Sequence, residues 1–250
     1  MSVFFVLLRR ELSAYFLSLT GYVIIAAIAF LTGLSFVQLI SALINDSSAM
    51  PITQTFFASF YYWLILLLAT PVITMRLFAL EKSSGTFETL MTAPVGDLQV
   101  VAAKFAAAFV FYAVMWLPLL ASLLLVSHFA SQTGGLDAGM LGGMYLGILL
   151  AGGMFLSFGC LASAASRTQM VAAMVSLAFG VSQFALAYWA KSMPLSDTWQ
   201  SQLWSCANLF DQITDFARGT VDSRAVIFYL SATFLFLFLT LRVVESRRWK

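Results

Sequence analysis

The sequence predicts an all-α polytopic membrane protein with six transmembrane helices and both termini in the cytoplasm. Three observations predict it. Of the 250 residues 61% are apolar and 10% charged, where a soluble domain carries roughly 45–50% and roughly 25%. The apolar residues gather in runs of about twenty or more, long enough as helices to cross a hydrocarbon layer of roughly 30 Å. The basic residues fall unevenly between the connecting segments, which sets an orientation. A mean hydropathy of +0.93 and 24 Phe exclude a water-soluble globule, a disordered chain and a disulfide scaffold. A net charge of +2, with no dense basic run, gives no nucleic-acid footprint.

The elements follow in chain order, here within a single transmembrane domain over 1–250. Residues 3–16 place Phe4, Leu8, Leu12 and Tyr15 or Phe16 on one helical face and Arg9, Arg10 and Glu11 mostly on the other. A short helix so patterned lies in the interface rather than across it. It either anchors the first span or packs laterally on span five or a partner. The apolar run that follows is too long for the h-region of a signal peptide and is read as a retained helix. Span one covers 20–44, and Asn45-Asp46-Ser47-Ser48 with Pro51 breaks it. Span two covers 55–75 and ends at Arg76. The loop 76–98 contains a break at Ser83-Ser84-Gly85, a cap at Thr86 and a short helix stopped by Pro94. That helix presents Phe87, Leu90 and Met91 beside Glu88, a face that either hugs lipid or docks in a partner's groove.

Span three covers 100–127, with Lys104 near enough to its start to snorkel and Pro118 placed to kink it. Span four, 140–163, carries Gly139, Gly143, Gly147 and Ala151 at four-residue intervals. Span five, 169–190, carries Ala172, Ser176 and Gly180 at the same interval. Small residues so spaced let helices approach closely in lipid, which points to spans four and five as an antiparallel pair, or to a surface that slides. Residues 191–223 repeat Trp199, Leu203, Trp204, Phe210, Ile213 and Phe216 at near-helical spacing. They read as short helices at the outer face, either a plain surface segment or a gate. Span six covers 225–243.

With cytoplasmic termini, ten of the thirteen basic residues lie inside and only Lys191, Arg218 and Arg224 outside. Cys160 and Cys206 then lie at opposite faces, too distant for a disulfide. The sequence holds no G-x-x-x-x-G-K-[ST] motif, no charged residue in mid-span, and one histidine, His128. No catalytic, cofactor or metal site is expected on this chain, so any energy for movement comes from a partner.

Three stretches resemble the membrane subunit of ATP-binding-cassette transporters of the ABC-2 family: residues 9–24, 75–95 with 100–105, and 208–230. They are similar to its small six-span subfamily that includes the gliding-motility and copper-enzyme-maturation permeases. The central stretch carries Arg76, the acidic–basic pair Glu81-Lys82, Gly-Thr-x-Glu-x-Leu over 85–90, Pro94 and Lys104; the last carries Phe216, Arg218-Gly219 and Asp222. The resemblance implies a fold like that of type V exporters, with 3–16 as the interfacial elbow helix. It implies a coupling helix seated on a separate P-loop ATPase, with Glu81, Lys82, Thr86, Phe87, Glu88, Leu90 and Met91 at the contact. Trp204, Phe210, Phe216, Arg218 and Gly219 would belong to an outer gate. It further implies two ATPase copies holding ATP and Mg, a second permease chain, identical or homologous, and location in the bacterial cytoplasmic (inner) membrane. An accessory periplasmic or membrane protein is a further expected partner. Two other readings remain open at this point: a membrane scaffold or assembly factor on the same fold, and an ion-coupled carrier.

Overall fold

Long uncharged runs leave a backbone in lipid one local way to satisfy its N–H and C=O groups, the α-helix. The computed structural model describes residues 3–45, 52–86, 95–129, 138–192 and 208–246, and among them it is helical between short turns, with no strand. The helices are α1 (Val3–Phe16), α2 (Leu19–Asn45), α3 (Ile52–Ala58), α4 (Phe60–Thr74), α5 (Ala79–Ser83) and α6 (Asp97–Met115). They continue with α7 (Leu117–Phe129), α8 (Ala138–Ala165), α9 (Gln169–Ser192), α10 (Leu209–Ala217) and α11 (Ser223–Ser246).

Among the described residues five segments are long and apolar enough to cross a membrane: Leu19–Ser41, Asp97–Leu125, Gly139–Ala165, Gln169–Ala190 and Ser223–Ser246. The sequence reading has six. The difference lies in the second: Ser59 is extended at φ −71°, ψ 145° and splits the segment, leaving α4 with 15 residues. That length spans only about 22 Å as a helix. The cause is visible in the packing. Helix α4 is apolar on every side and buries Tyr62, Trp63, Ile65, Leu66, Ala69, Thr70, Pro71, Ile73 and Thr74, against α2, α8 and α9. It is a central post, covered by its neighbours on most sides, with Phe60 and Leu68 left exposed.

Helix α8 is the other central element and the most buried of the five long segments, while α11 is the least. Its glycines let neighbours in. A Cβ on Gly152 would stand 2.1 Å from the Tyr112 ring, and one on Gly159 2.2 Å from Thr74 Oγ1. Helices α6 and α7 form one bent segment, because Pro118 has no N–H for the Val114 carbonyl, and Trp116 at the joint bonds back to Ala113 O at 3.2 Å.

Candidate functional site

The site is built where α1, α5, α6 and the last turn of α8 meet. Helix α1 lies along α6 and is pinned by Tyr15, which stacks on Phe111 at 4.9 Å and donates from Oη to Ile73 O at 2.8 Å. Burial, reinforced by Glu11, pushes the Tyr15 phenol well above its ordinary pKa, so the hydroxyl stays a donor. Helix α5 is five residues long and its N-cap, Phe78, makes no side-chain cap bond. Ser163 of α8 supplies the cap instead: its Oγ accepts from Phe78 N at 3.0 Å and Ala79 N at 3.1 Å. At the other end of α5, Lys82 Nζ donates to the Ala164 carbonyl, a cation on the negative end of α8.

Four charges then converge. Lys104 Nζ lies 3.1 Å from Glu11 Oε1 and 2.9 Å from Glu81 Oε1. Arg10 reaches the same two oxygens at 2.6 and 3.2 Å. The Lys104 side chain is 3% exposed, with the Phe78 ring 5.4 Å from its Nζ. Burial alone would lower the Arg10 pKa, but the hydrogen bond and charge of Glu11, then Glu81, raise it. Two cations against two carboxylates leave no net charge, which is what permits a buried lysine. Lys104 therefore does not snorkel to headgroups as its position near the start of a span suggests. Carboxylates from two other helices reach it first. The cluster joins α5, next to the 76–98 loop, to both α1 and α6.

Of the residues read from sequence, Glu81 and Lys82 sit in this junction, and Arg10 and Glu11 complete it from α1. Arg9 is exposed outside it. Gly85 turns the chain at φ +74°, and the exposed Thr86 shares a 2.9 Å hydroxyl bond with Ser84. Phe87, Glu88, Leu90 and Met91 lie outside the described residues, as does Trp204.

At the opposite end of α8, about 30 Å away along its axis, α10 packs into the glycine stripe. A Cβ on Gly143 would stand 2.7 Å from the Phe216 carbonyl oxygen, and one on Gly147 3.0 Å from Phe216 Cβ. At Gly143 and Gly147 the close approach is therefore to α10, while α9, the partner expected from spacing, packs on α8 as well but not at these two glycines. On α9, Ala172 and Ser176 are buried, and a Cβ on Gly180 would meet Leu67 of α4 at 2.6 Å and Phe155 of α8 at 3.4 Å. Gly139 is exposed. Phe210 packs on Trp63 at 4.5 Å and Phe184 at 5.3 Å. The α10 turn closes through the exposed Arg218 and the half-buried Gly219, the latter at φ +79°, and Thr53 Oγ1 donates to Ala217 O at 2.7 Å.

Asp215 on α10 has its carboxyl held above the usual range, first by burial, against the opposing pull of Arg218 and with help from Asp211 and Asp222. A raised folded pKa means the ionised form costs stability; the cost fades as pH falls through the folded value and is gone below the unfolded one, about 4. Asp215→Asn should raise the melting temperature at pH 7 and flatten its rise toward about pH 4. Parallel melts of variant and parent at both ends of that range check it; identical slopes would refute the shift.

The sequence model described as ABC-2 family transporter protein matches residues 8–183. That span runs from α1 into α9 and contains the whole charged junction. The chain belongs to the ABC-2 transporter family. No curated protein matches it. As an ABC-2 family member with several long apolar helices, it is a multi-pass membrane protein and the permease component of an ABC transporter. Permeases of this kind are non-catalytic and work in a membrane with an ATPase subunit. The charged junction of this ABC-2 permease escaped sequence reasoning because Lys104 stands 93 residues from Glu11 and 23 from Glu81. The available signal was three ionisable residues at the polar margins of apolar helices.

Proposed function

We propose that this chain is the permease of an ATP-driven exporter in the bacterial cytoplasmic membrane. It works as two permease chains, identical or homologous, with two P-loop ATPase subunits that hold ATP and Mg. Both termini are cytoplasmic, α1 is the interfacial elbow, and α3 with α4 in tandem provides the sixth crossing, as in the small six-span ABC-2 permeases. The loop 76–98 is the coupling loop.

The observation that carries this reading is the Arg10–Glu11–Glu81–Lys104 junction. A coupling loop must pass a push into the bundle, and a push needs a stiff connection. Helix α5 has three: the Ser163 cap, the Lys82–Ala164 contact and the ion cluster. Displacement of the 76–98 loop therefore carries α1, α6 and the end of α8 with it. The α10 plug, seated on α8 at the other end, is placed to respond as a gate.

Glu88→Lys tests the docking. The variant should insert normally yet lose the stoichiometric ATPase from the complex purified out of the native membrane. Unchanged complex composition and ATPase stimulation would sink the coupling role of the loop.

A further inference from the structure

A shallow, half-open cleft lies between α1 and the α4–α5 turn, lined by Glu11, Ala14, Tyr15, Arg76, Leu77 and Leu80. We propose that it binds the phosphoethanolamine headgroup of a membrane lipid.

The charges are arranged for a zwitterion. Arg76 donates from Nη1 to Thr20 Oγ1 and, among the described residues, forms no ion pair, so most of its five donors are available. A guanidinium with free parallel N–H groups fits a phosphate diester. Glu11 receives both Arg10 and Lys104 through Oε1, which leaves Oε2 to accept from an ammonium. Both side chains line the same cleft without pairing to each other. A bare anion would meet the Glu11 carboxylate there, and a bare cation the Arg76 guanidinium. A head carrying both charges satisfies both.

The depth is that of a headgroup. Arg76 follows the last turn of α4 and Thr20 opens α2, so the guanidinium sits at the boundary between apolar helix and polar loop, where lipid phosphates lie. Beside it, Leu17 and Leu19 are 78% and 81% exposed, a surface for acyl chains. The primary ammonium matters: it can donate to Glu11, whereas a choline head has no N–H to give and a glycerol head has no cation.

The proposal rests on the chain lying in a membrane and not on ATPase coupling, so the two can fail separately. The purified full chain is placed in nanodiscs of phosphatidylcholine doped with phosphatidylethanolamine or phosphatidylglycerol, and retained lipid is read by native mass spectrometry. Phosphatidylethanolamine should be enriched over both others. Arg76→Gln, and Ala14→Phe, which fills the cleft without touching a charge, should each cut that enrichment about tenfold, the worth of one charge-assisted contact. Arg76→Lys should keep part of it. Equal retention of the three lipids, or undiminished enrichment in both Arg76→Gln and Ala14→Phe, overturns the site. Soluble glycerophosphoethanolamine competing as well as the lipid overturns the lipid assignment.

Discussion

Lys104→Met should destabilise the bundle by about 3–5 kcal/mol, the cost of stripping one partner from a buried ion pair. Methionine keeps the length and most of the volume, so the loss is one of charge. The Lys104 side chain is 3% exposed, and it separates Glu11 and Glu81, themselves 12% and 17% exposed. Glu81 Oε2 is already buried without a hydrogen-bond partner. Without the ammonium, two carboxylates face each other with only Arg10, half in water at 51% exposure, to hold them. One carboxyl must then take up a proton or the helices must part. Neutralising the acids as well, in Glu11→Gln with Glu81→Gln and Lys104→Met, should recover most of the stability, because no uncompensated charge stays buried. The triple variant should still uncouple ATP hydrolysis from the permease, since the links from α5 to α1 and α6 are weakened. Thermal unfolding in detergent reads the first effect, and ATPase stimulation in the purified complex reads the second. A single variant that melts with the parent would show the cluster to be ornamental.

The second large effect is expected at Gly159→Ala. Alanine in place of glycine inside a helix ordinarily gains about 0.8–1 kcal/mol. Here the new methyl would lie 2.2 Å from Thr74 Oγ1, 2.8 Å from Thr74 Cβ and 2.9 Å from its Cγ2. Rotating Thr74 about χ1 moves the Oγ1 but not the Cβ, so the clash survives every rotamer. Thr74 is fully buried at the end of α4, and α8 must back away from the central post. Overpacking typically costs 1–3 kcal/mol and, with no flexible tip to yield, should exceed about 2 here. The internal control is Gly142→Ala on the same helix, where a Cβ meets nothing within 4 Å; that change should be neutral or mildly stabilising. The same substitution thus carries a large cost at one site of the helix and none at the other, and equal melting temperatures for the pair would refute the packing account.

What the sequence makes legible, and what it hides, divides along physical lines. Hydropathy marks the apolar segments because each long run answers to lipid alone. Gly85 marks a turn because glycine takes the positive φ that other residues avoid, and Pro118 marks a bend because its ring leaves no N–H for the helix. The split at Ser59 is not marked: Phe-Ala-Ser-Phe is as apolar as its surroundings, and the interruption follows from α3 and α4 packing separately. The stripe of Gly143 and Gly147 announces a close approach without saying to what, and α10 rather than α9 takes the place. The charged junction is hidden most deeply. Glu11, Glu81 and Lys104 each look like a boundary residue until three helices bring them together.

Helix α5 cannot cap itself, and five residues are too few to hold a helix unaided. Its N-terminus is completed by Ser163, which the ribosome adds 85 residues after Phe78. Between the two lie the α6–α7 segment and nearly all of α8, both of which must enter the bilayer first. The surface beside α5 thus cannot set until Ser163 has been made and α8 is in place. A polypeptide in which α8 is missing or wrongly inserted lacks the Ser163 cap, so an ordered platform beside α5 would report that the chain is correctly inserted as far as α8.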